Sequence, residues 1–285
     1  MTGPAWIDEI AWAPTGPPWL AMGLSRIDDA AWLLPDEARD GELAERARLL
    51  DQRRDEVFAA LPGTEAASAE VLALVRQWER RHRPDLAEAP VDPSLHPLEA
   101  AGRRTQEDLV LMVDRDGSAH LDAAVLCFPS HWRLRDKVGG SALAIHGPVP
   151  RYREDLAEKV DRFLDRLRPD VLVARRNWSV HLDDALFSPD PPLDPSPVTA
   201  GEVGDGLWLR SERQTLRRLP SSGVVLFTIR VQQAPFSAFA GHPGAARAMA
   251  DRLEAQPAEL TRMNGMAPHR VAAVSWLRSV APTRS

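Results

Sequence analysis

Leu109-Val110-Leu111-Met112-Val113-Asp114-Arg115-Asp116-Gly117-Ser118-Ala119-His120-Leu121-Asp122-Ala123-Ala124-Val125-Leu126-Cys127-Phe128 is the stretch that decides the fold. Leu109–Val113 is a compact apolar run of strand length. Asp114-Arg115-Asp116-Gly117 is a hairpin signal, because aspartate and glycine tolerate the positive φ that a tight turn needs. His120 to Phe128 is the returning strand, so two antiparallel strands open a sheet.

Upstream of this hairpin the period is helical. Leu43, Ala47, Leu50, Val57 and Leu61 recur at helical spacing over 40–61, and Pro62-Gly63 stops the run. Val71, Leu74, Val75 and Trp78 repeat the pattern over 64–82, after Thr64 as a cap. These two helices are expected to pack as a hairpin. Residues 83–104 carry Pro84, Pro90, Pro93 and Pro97 and read as a linker loop. Residues 1–35 are rich in proline and tryptophan (Pro4, Trp6, Trp12, Pro14, Pro17, Pro18, Trp19, Trp32), as in an extended arm pinned to the body by indoles.

Downstream, Cys127-Phe-Pro-Ser-His-Trp leads into short helical turns, then Ile145-His146-Gly147-Pro148-Val149-Pro150. Residues 151–167 form an amphipathic helix, with Leu156, Val160, Phe163, Leu164 and Leu167 on one side. Three strands follow: Val171 to Leu182, Leu207 to about Leu216, and Val224 to Gln232. A Pro- and Asp-rich loop, 188–205, separates the first two. The tail after Pro235 is helical, with Ala245, Met249, Leu253 and Leu260 for packing and Trp276 as an anchor. The order strand, strand, short helices, long helix, then three strands is an α+β layout, an antiparallel sheet with helices on one face. It is also the order of a PAS domain. The chain divides into an N-terminal arm and helical hairpin (1–105), a PAS-like core (106–235) and a C-terminal helical tail (236–285), together one compact unit.

The 285 residues suffice for one large domain. A net charge of -6 argues against a nucleic-acid surface, which needs a basic excess. One cysteine, Cys127, excludes an intramolecular disulfide and a Cys-rich cluster, and fits a reducing cytoplasm. No basic segment precedes an apolar core at the N-terminus, so no signal peptide is expected. No run reaches the roughly 20 apolar residues of a membrane helix. Gly-rich phosphate loops, Gly-x-Ser-x-Gly elbows and His-Glu-x-x-His motifs do not occur.

Three features bear on chemistry. His146, among small and apolar residues, is placed to offer a neutral imidazole nitrogen to a metal such as haem iron, or to serve as a hydrogen-bonded core residue. In 171–182 one row reads Leu172, Ala174, Arg176, Trp178, Val180 and the other Val171, Val173, Arg175, Asn177, Ser179. Arg176 thus sits in an apolar row and needs a partner: a haem propionate, dioxygen, or a carboxylate such as Glu212. The segment Ser211-Glu212-Arg213-Gln214-Thr215-Leu216-Arg217-Arg218-Leu219-Pro220 is charged throughout, either to clamp propionates and an amine or as a solvated edge strand.

Taken together, Cys127–Trp132, Lys137-Val138-Gly139, Ile145–Pro150, Arg176-Asn177-Trp178 and Ser211–Pro220 resemble the haem-dependent oxidative N-demethylase α-subunit family, over about Gly23 to Gln232. The resemblance implies a PAS-like haem b domain that acts as a monooxygenase on a small secondary amine with dioxygen. Electrons would come from a separate flavin and iron–sulfur reductase subunit, and dimethylamine would lose a methyl group as formaldehyde. It implies His146 as the iron ligand, with Cys127 the rival. Arg176 or Arg213 would polarise dioxygen and Glu212 would bind the ammonium group. Trp178, Arg217 and Lys137 would line the cofactor. A haem-based gas or redox sensor and a non-catalytic ligand-binding protein are the alternatives.

Overall fold

In a computed structural model, seven antiparallel strands among the described residues form one sheet. The structure describes residues 3–10, 22–147, 149–150, 152–191, 196–263 and 265–281. The strands are β1 (Ser25–Arg26), β2 (Phe58–Ala60), β3 (Glu107–Arg115), β4 (Ser118–Val125), β5 (Leu172–His181), β6 (Trp208–Arg218) and β7 (Val225–Pro235), in the spatial order β1-β5-β6-β7-β3-β4-β2. The β3–β4 hairpin closes on Asp116 and Gly117, at φ 54° and 81°. Two successive left-handed residues make the turn whose twist matches a right-twisted ribbon. β7 is central, between β6 and β3, as its doubly apolar sequence requires. β6 lies between β5 and β7, so its charges do not belong to a solvated edge strand.

The helices are α1 (Arg39–Gln52), α2 (Arg54–Val57), α3 (Glu65–His82), α4 (Pro84–Ala87), α5 (Pro97–Gly102), α6 (Ala142–His146), α7 (Glu158–Arg166), α8 (Val203–Gly206), α9 (Pro243–Ala255), α10 (Ala258–Met263) and α11 (Arg270–Val280). Three expectations change. The helix expected over 40–61 breaks at Arg53, and Phe58–Ala60 leaves it to pair with β4. Residues 83–104 are not a plain linker: Pro84 and Pro97 each open a helix, where a missing N–H costs nothing. And α3 packs chiefly on α5 and α4 rather than pairing with α1 as a hairpin. Of the N-terminal indoles, Trp6 and Trp32 are buried; Trp12, Trp19, Pro14, Pro17 and Pro18 lie outside the described residues.

Register assigns every side chain to a face, because residues directly opposite one another point the same way. Arg176, Arg213 and Arg230 align across β5, β6 and β7, and Arg175, Gln214 and Ile229 align on the opposite face. The Arg213 face is covered along its length. Gly102 of α5 sits against Val125, Trp32 and Trp6 lie across the middle, and Val180, Leu209 and Ala234 meet α9 and α11 in a second core. The Arg175 face carries the 127–132 loop, α6 and α7; Arg218 on that face reaches the carbonyl of Leu167 at the end of α7. Helices therefore cover both faces, not one. α1 crosses the strand ends: its Glu42 pairs with Arg230 on one face and its Arg46 with Asp108 on the other.

A Cβ added to Gly102 would lie 2.6 Å from Val125 Cγ1 and 2.9 Å from its Cβ. Overpacking of this kind costs about 1–3 kcal/mol. Gly102→Ala is expected to lower the urea midpoint accordingly, and an unchanged midpoint would show that α5 can withdraw from β4 freely.

Candidate functional site

The candidate site lies around α6, which packs on β4, with Arg175 of β5 and Glu212 of β6 near enough to His146 to act on its charge. Ser141 starts α6 by accepting from the Ala144 amide at 3.2 Å, which caps a single turn ending on His146. The His146 ring then folds back, and its Nδ1 lies 2.8 Å from the Ala142 carbonyl. A carbonyl can only accept, so Nδ1 carries the proton and Nε2 keeps the lone pair. This is the tautomer that ligating histidines use. The Tyr152 ring lies nearly parallel to the imidazole, at 10° and 4.6 Å. His146 is exposed by surface area, yet crowding of its ring by protein atoms is the leading cause of its depressed pKa. The ring is thus crowded by protein on one side and open on another. Arg175 and Lys137 depress it further, while Glu212 pulls the other way. Lys137 itself donates to the Ile145 carbonyl at 2.6 Å, tying the preceding loop to α6.

On the sheet, Arg175 lies opposite Gln214 and Asn177 opposite Glu212. Gln214 donates to Glu212 at 3.0 Å, and Arg175 donates to the Met22 carbonyl at 3.3 Å. Among the described residues neither Arg175 nor Glu212 belongs to an ion pair. Burial lowers the Arg175 pKa, with Glu212 offsetting part of that, so the guanidinium is held with an incomplete counter-charge. A half-buried charge normally has a partner. A ligand carboxylate is the kind of group that would complete this one.

Of the residues singled out in the sequence, the structure thus brings together His146, Lys137 and Glu212. The other four lie on the opposite face. Arg176 is paired with Glu9 at 2.7 Å and donates to Gln232 at 2.9 Å, not to Glu212. Arg213 donates to the Trp32 carbonyl at 3.2 Å. Arg217 stacks over Trp32 at 4.6 Å and pairs with Asp29 at 3.5 Å. Trp178 is buried in the second core. Arg175 and Tyr152 stand where those residues were expected. The alternation of β5 contains the signal, since Arg175 and Asn177 share the row opposite that of Arg176.

The floor beside the site is held by two buried arginines. Arg210, on the Glu212 face, is 0% exposed and donates to Ser130 Oγ at 2.7 Å and to the carbonyls of Phe128, Ala185 and Leu186 at 2.8–3.1 Å. It clamps the 127–132 loop against 185–188, belongs to no ion pair among the described residues, and has its pKa pushed down to about 10 by burial. Arg46 is paired with Asp108 at 2.7 Å, both 0% exposed, and Asp108 also accepts the Cys127 and Phe128 amides at 2.8 and 3.0 Å. Cys127 is buried and its thiol is pushed up to about 12, so it stays protonated.

This chain is a member of the haem-dependent oxidative N-demethylase, alpha subunit-like family. The family model matches residues 23–273, from β1 into α11. In this N-demethylase-like chain the donor set near α6 suits a haem better than a bare ion. One imidazole supplies one ligand, and among the described residues no group of three or more His, Cys, Asp or Glu side chains is placed to hold a metal. A porphyrin brings its own four nitrogens and two carboxylates, and Arg175 is a cation of the kind that carboxylates need. Among the described residues no helix is long and apolar enough to cross a membrane.

His131 and His181 stack at 4.4 Å beside Arg210, with His131 at φ 57°. His181 is 3% exposed, its Nε2 is buried with no hydrogen-bond partner among the described residues, and burial, then Arg210, then His131 push its pKa down to about 3. His131 is lowered for the same leading reason, with Asp183 and Asp190 opposing. A base whose pKa falls on folding binds its proton more readily in the unfolded chain. Its stabilisation is complete above the ordinary value of 6.5 and is lost as pH falls from there toward 3. The expected slope is about 1.4 kcal/mol per pH unit from His181. His181→Phe keeps the stack but not the titration, so its stability measured by denaturant melts should fall less steeply between these limits.

Proposed function

We propose that this chain is a haem-dependent monooxygenase that removes a methyl group from a small secondary amine, with electrons delivered by a separate flavin and iron–sulfur reductase. One observation carries the reading: Arg175 and Glu212, opposite in charge, sit on the face that looks toward His146, and neither has an ion-pair partner among the described residues. His146 would hold the iron of haem b through Nε2, with the Ala142 carbonyl keeping its proton on Nδ1. Arg175 would anchor a propionate. Glu212, oriented by Gln214, would bind the substrate's ammonium group by a charge-assisted hydrogen bond. Bound haem would supply the oxidative chemistry, while the chain sets ligand, orientation and charge. The chain order of strands and helices supports reading the core as PAS-like. Arg176 and Arg213, spent on N-terminal residues of the opposite face, are assigned to holding that segment rather than to dioxygen.

The test is an absorption spectrum of protein produced with a haem precursor, followed by oxygen uptake with a reductase, an electron donor and dimethylamine. A Soret band and amine-dependent uptake are expected. Absence of the band after reconstitution would end the proposal, and a band without amine-dependent uptake would favour a sensor. Glu212→Gln should then raise the amine KM at least about tenfold, since a charge-assisted bond is worth roughly 1.5–3 kcal/mol.

A further inference from the structure

The nearly parallel placement of Tyr152 on His146 suggests more than packing. We propose that Tyr152 is a positioning residue, whose ring sets the plane of the His146 imidazole and thereby the direction of the Nε2 lone pair. The inference rests on the reading of His146 as the iron ligand.

Two constraints are needed to aim a ring nitrogen, and the structure provides both. The hydrogen bond from Nδ1 to the Ala142 carbonyl, 2.8 Å, fixes direction within the ring plane. It leaves rotation about that bond free. The Tyr152 ring, 10° from parallel at 4.6 Å, removes that freedom. Of the two rings Tyr152 is the anchored one: it is 5% exposed, whereas His146 is exposed. The backbone builds the arrangement. The Val149 amide donates to the His146 carbonyl at 2.8 Å, and the Tyr152 amide to the Val149 carbonyl at 3.2 Å, so two consecutive turns return the chain over the imidazole. Tyr152 then enters a π-helical turn, Arg153–Ala157, before α7 begins. Such a wide turn adds a residue relative to an α-helix and rotates what precedes it; π-turns of this kind are frequent at functional sites. The phenol is neutral, pushed up to about 12 by burial and Asp161, so it acts through its ring rather than by charge.

The experiment uses the full chain and free imidazole as the probe. His146→Gly should lose the wild-type haem spectrum and regain it on titration with imidazole. In His146→Gly/Tyr152→Leu the same titration should show roughly 2- to 10-fold weaker imidazole binding, the worth of one aromatic stack. His146→Gly/Tyr152→Phe should bind as tightly as His146→Gly. In the chain that keeps His146, Tyr152→Leu should broaden the ferric haem's electron paramagnetic resonance signal and speed haem transfer to an apo-globin acceptor, with the melting point of the haem-free protein within about 2 °C of wild type. Equal imidazole affinity with and without Tyr152, or a Tyr152→Leu resonance identical to wild type, overturns the positioning role while leaving His146 as ligand. A wild-type spectrum in His146→Gly without imidazole overturns both.

Discussion

Asp108→Ala should destabilise the chain by about 3–5 kcal/mol, because it leaves the fully buried Arg46 without a counter-charge. The same carboxylate accepts the amides of Cys127 and Phe128, so the start of the 127–132 loop loses its anchor as well. At roughly 2–4 °C per kcal/mol the melting temperature should fall by about 6–20 °C. Asp108→Asn keeps an acceptor of the same shape and should fall between wild type and Asp108→Ala. A melting temperature within about 2 °C of wild type for the alanine variant would mean that the Gln106 carbonyl, 2.9 Å from Arg46, suffices to hold the guanidinium. Because the 127–132 loop borders the Glu212 face, hydrogen exchange there should rise in the variant even below the melting transition.

If His146 holds the haem as proposed, His146→Ala is expected to change the absorption spectrum of the haem-loaded protein and to weaken haem retention. Losing an outer-shell partner of a ligating histidine typically costs roughly 10- to 100-fold, and losing the ligand itself should exceed that. Cys127→Ala is the control. Its thiol is 0% exposed and pushed up to about 12, so no thiolate is on offer. The spectrum of Cys127→Ala should match wild type. If instead Cys127→Ala alone changed the spectrum, the iron would have to be assigned to sulfur and the role given to α6 abandoned.

The hairpin at Asp116-Gly117 and the central place of β7 were legible in the sequence, because each rests on local chemistry, whereas His146, expected in a loop ahead of the long helix, ends the short helix α6. Gly117 sits at φ 81°, a backbone that favours glycine, and a continuous apolar run such as Val224–Phe227 needs cover on both faces. Phe58–Ala60 was not legible. Its residues continue a helical spacing, and only the free edge of β4 draws them into a strand. Pro97 falls in a stretch whose prolines signal a linker, yet it opens a helix whose glycine end lies against Val125, a contact no local pattern announces.

The faces of β5 mark the same divide. Alternation alone determined that Arg175 and Arg176 point to opposite sides, since a strand's period is two. It did not determine which side carries the candidate site. That was decided by where α6 and the N-terminal segment land: Glu9 and the Trp32 carbonyl occupy the guanidinium groups of Arg176 and Arg213, while Arg175 is left facing His146. The reason is physical. A strand's period follows from covalent geometry and is carried by the residues themselves, whereas the partner of a charge is set by segments more than 100 residues distant, such as Glu9 for Arg176, whose arrival depends on the whole sheet having formed.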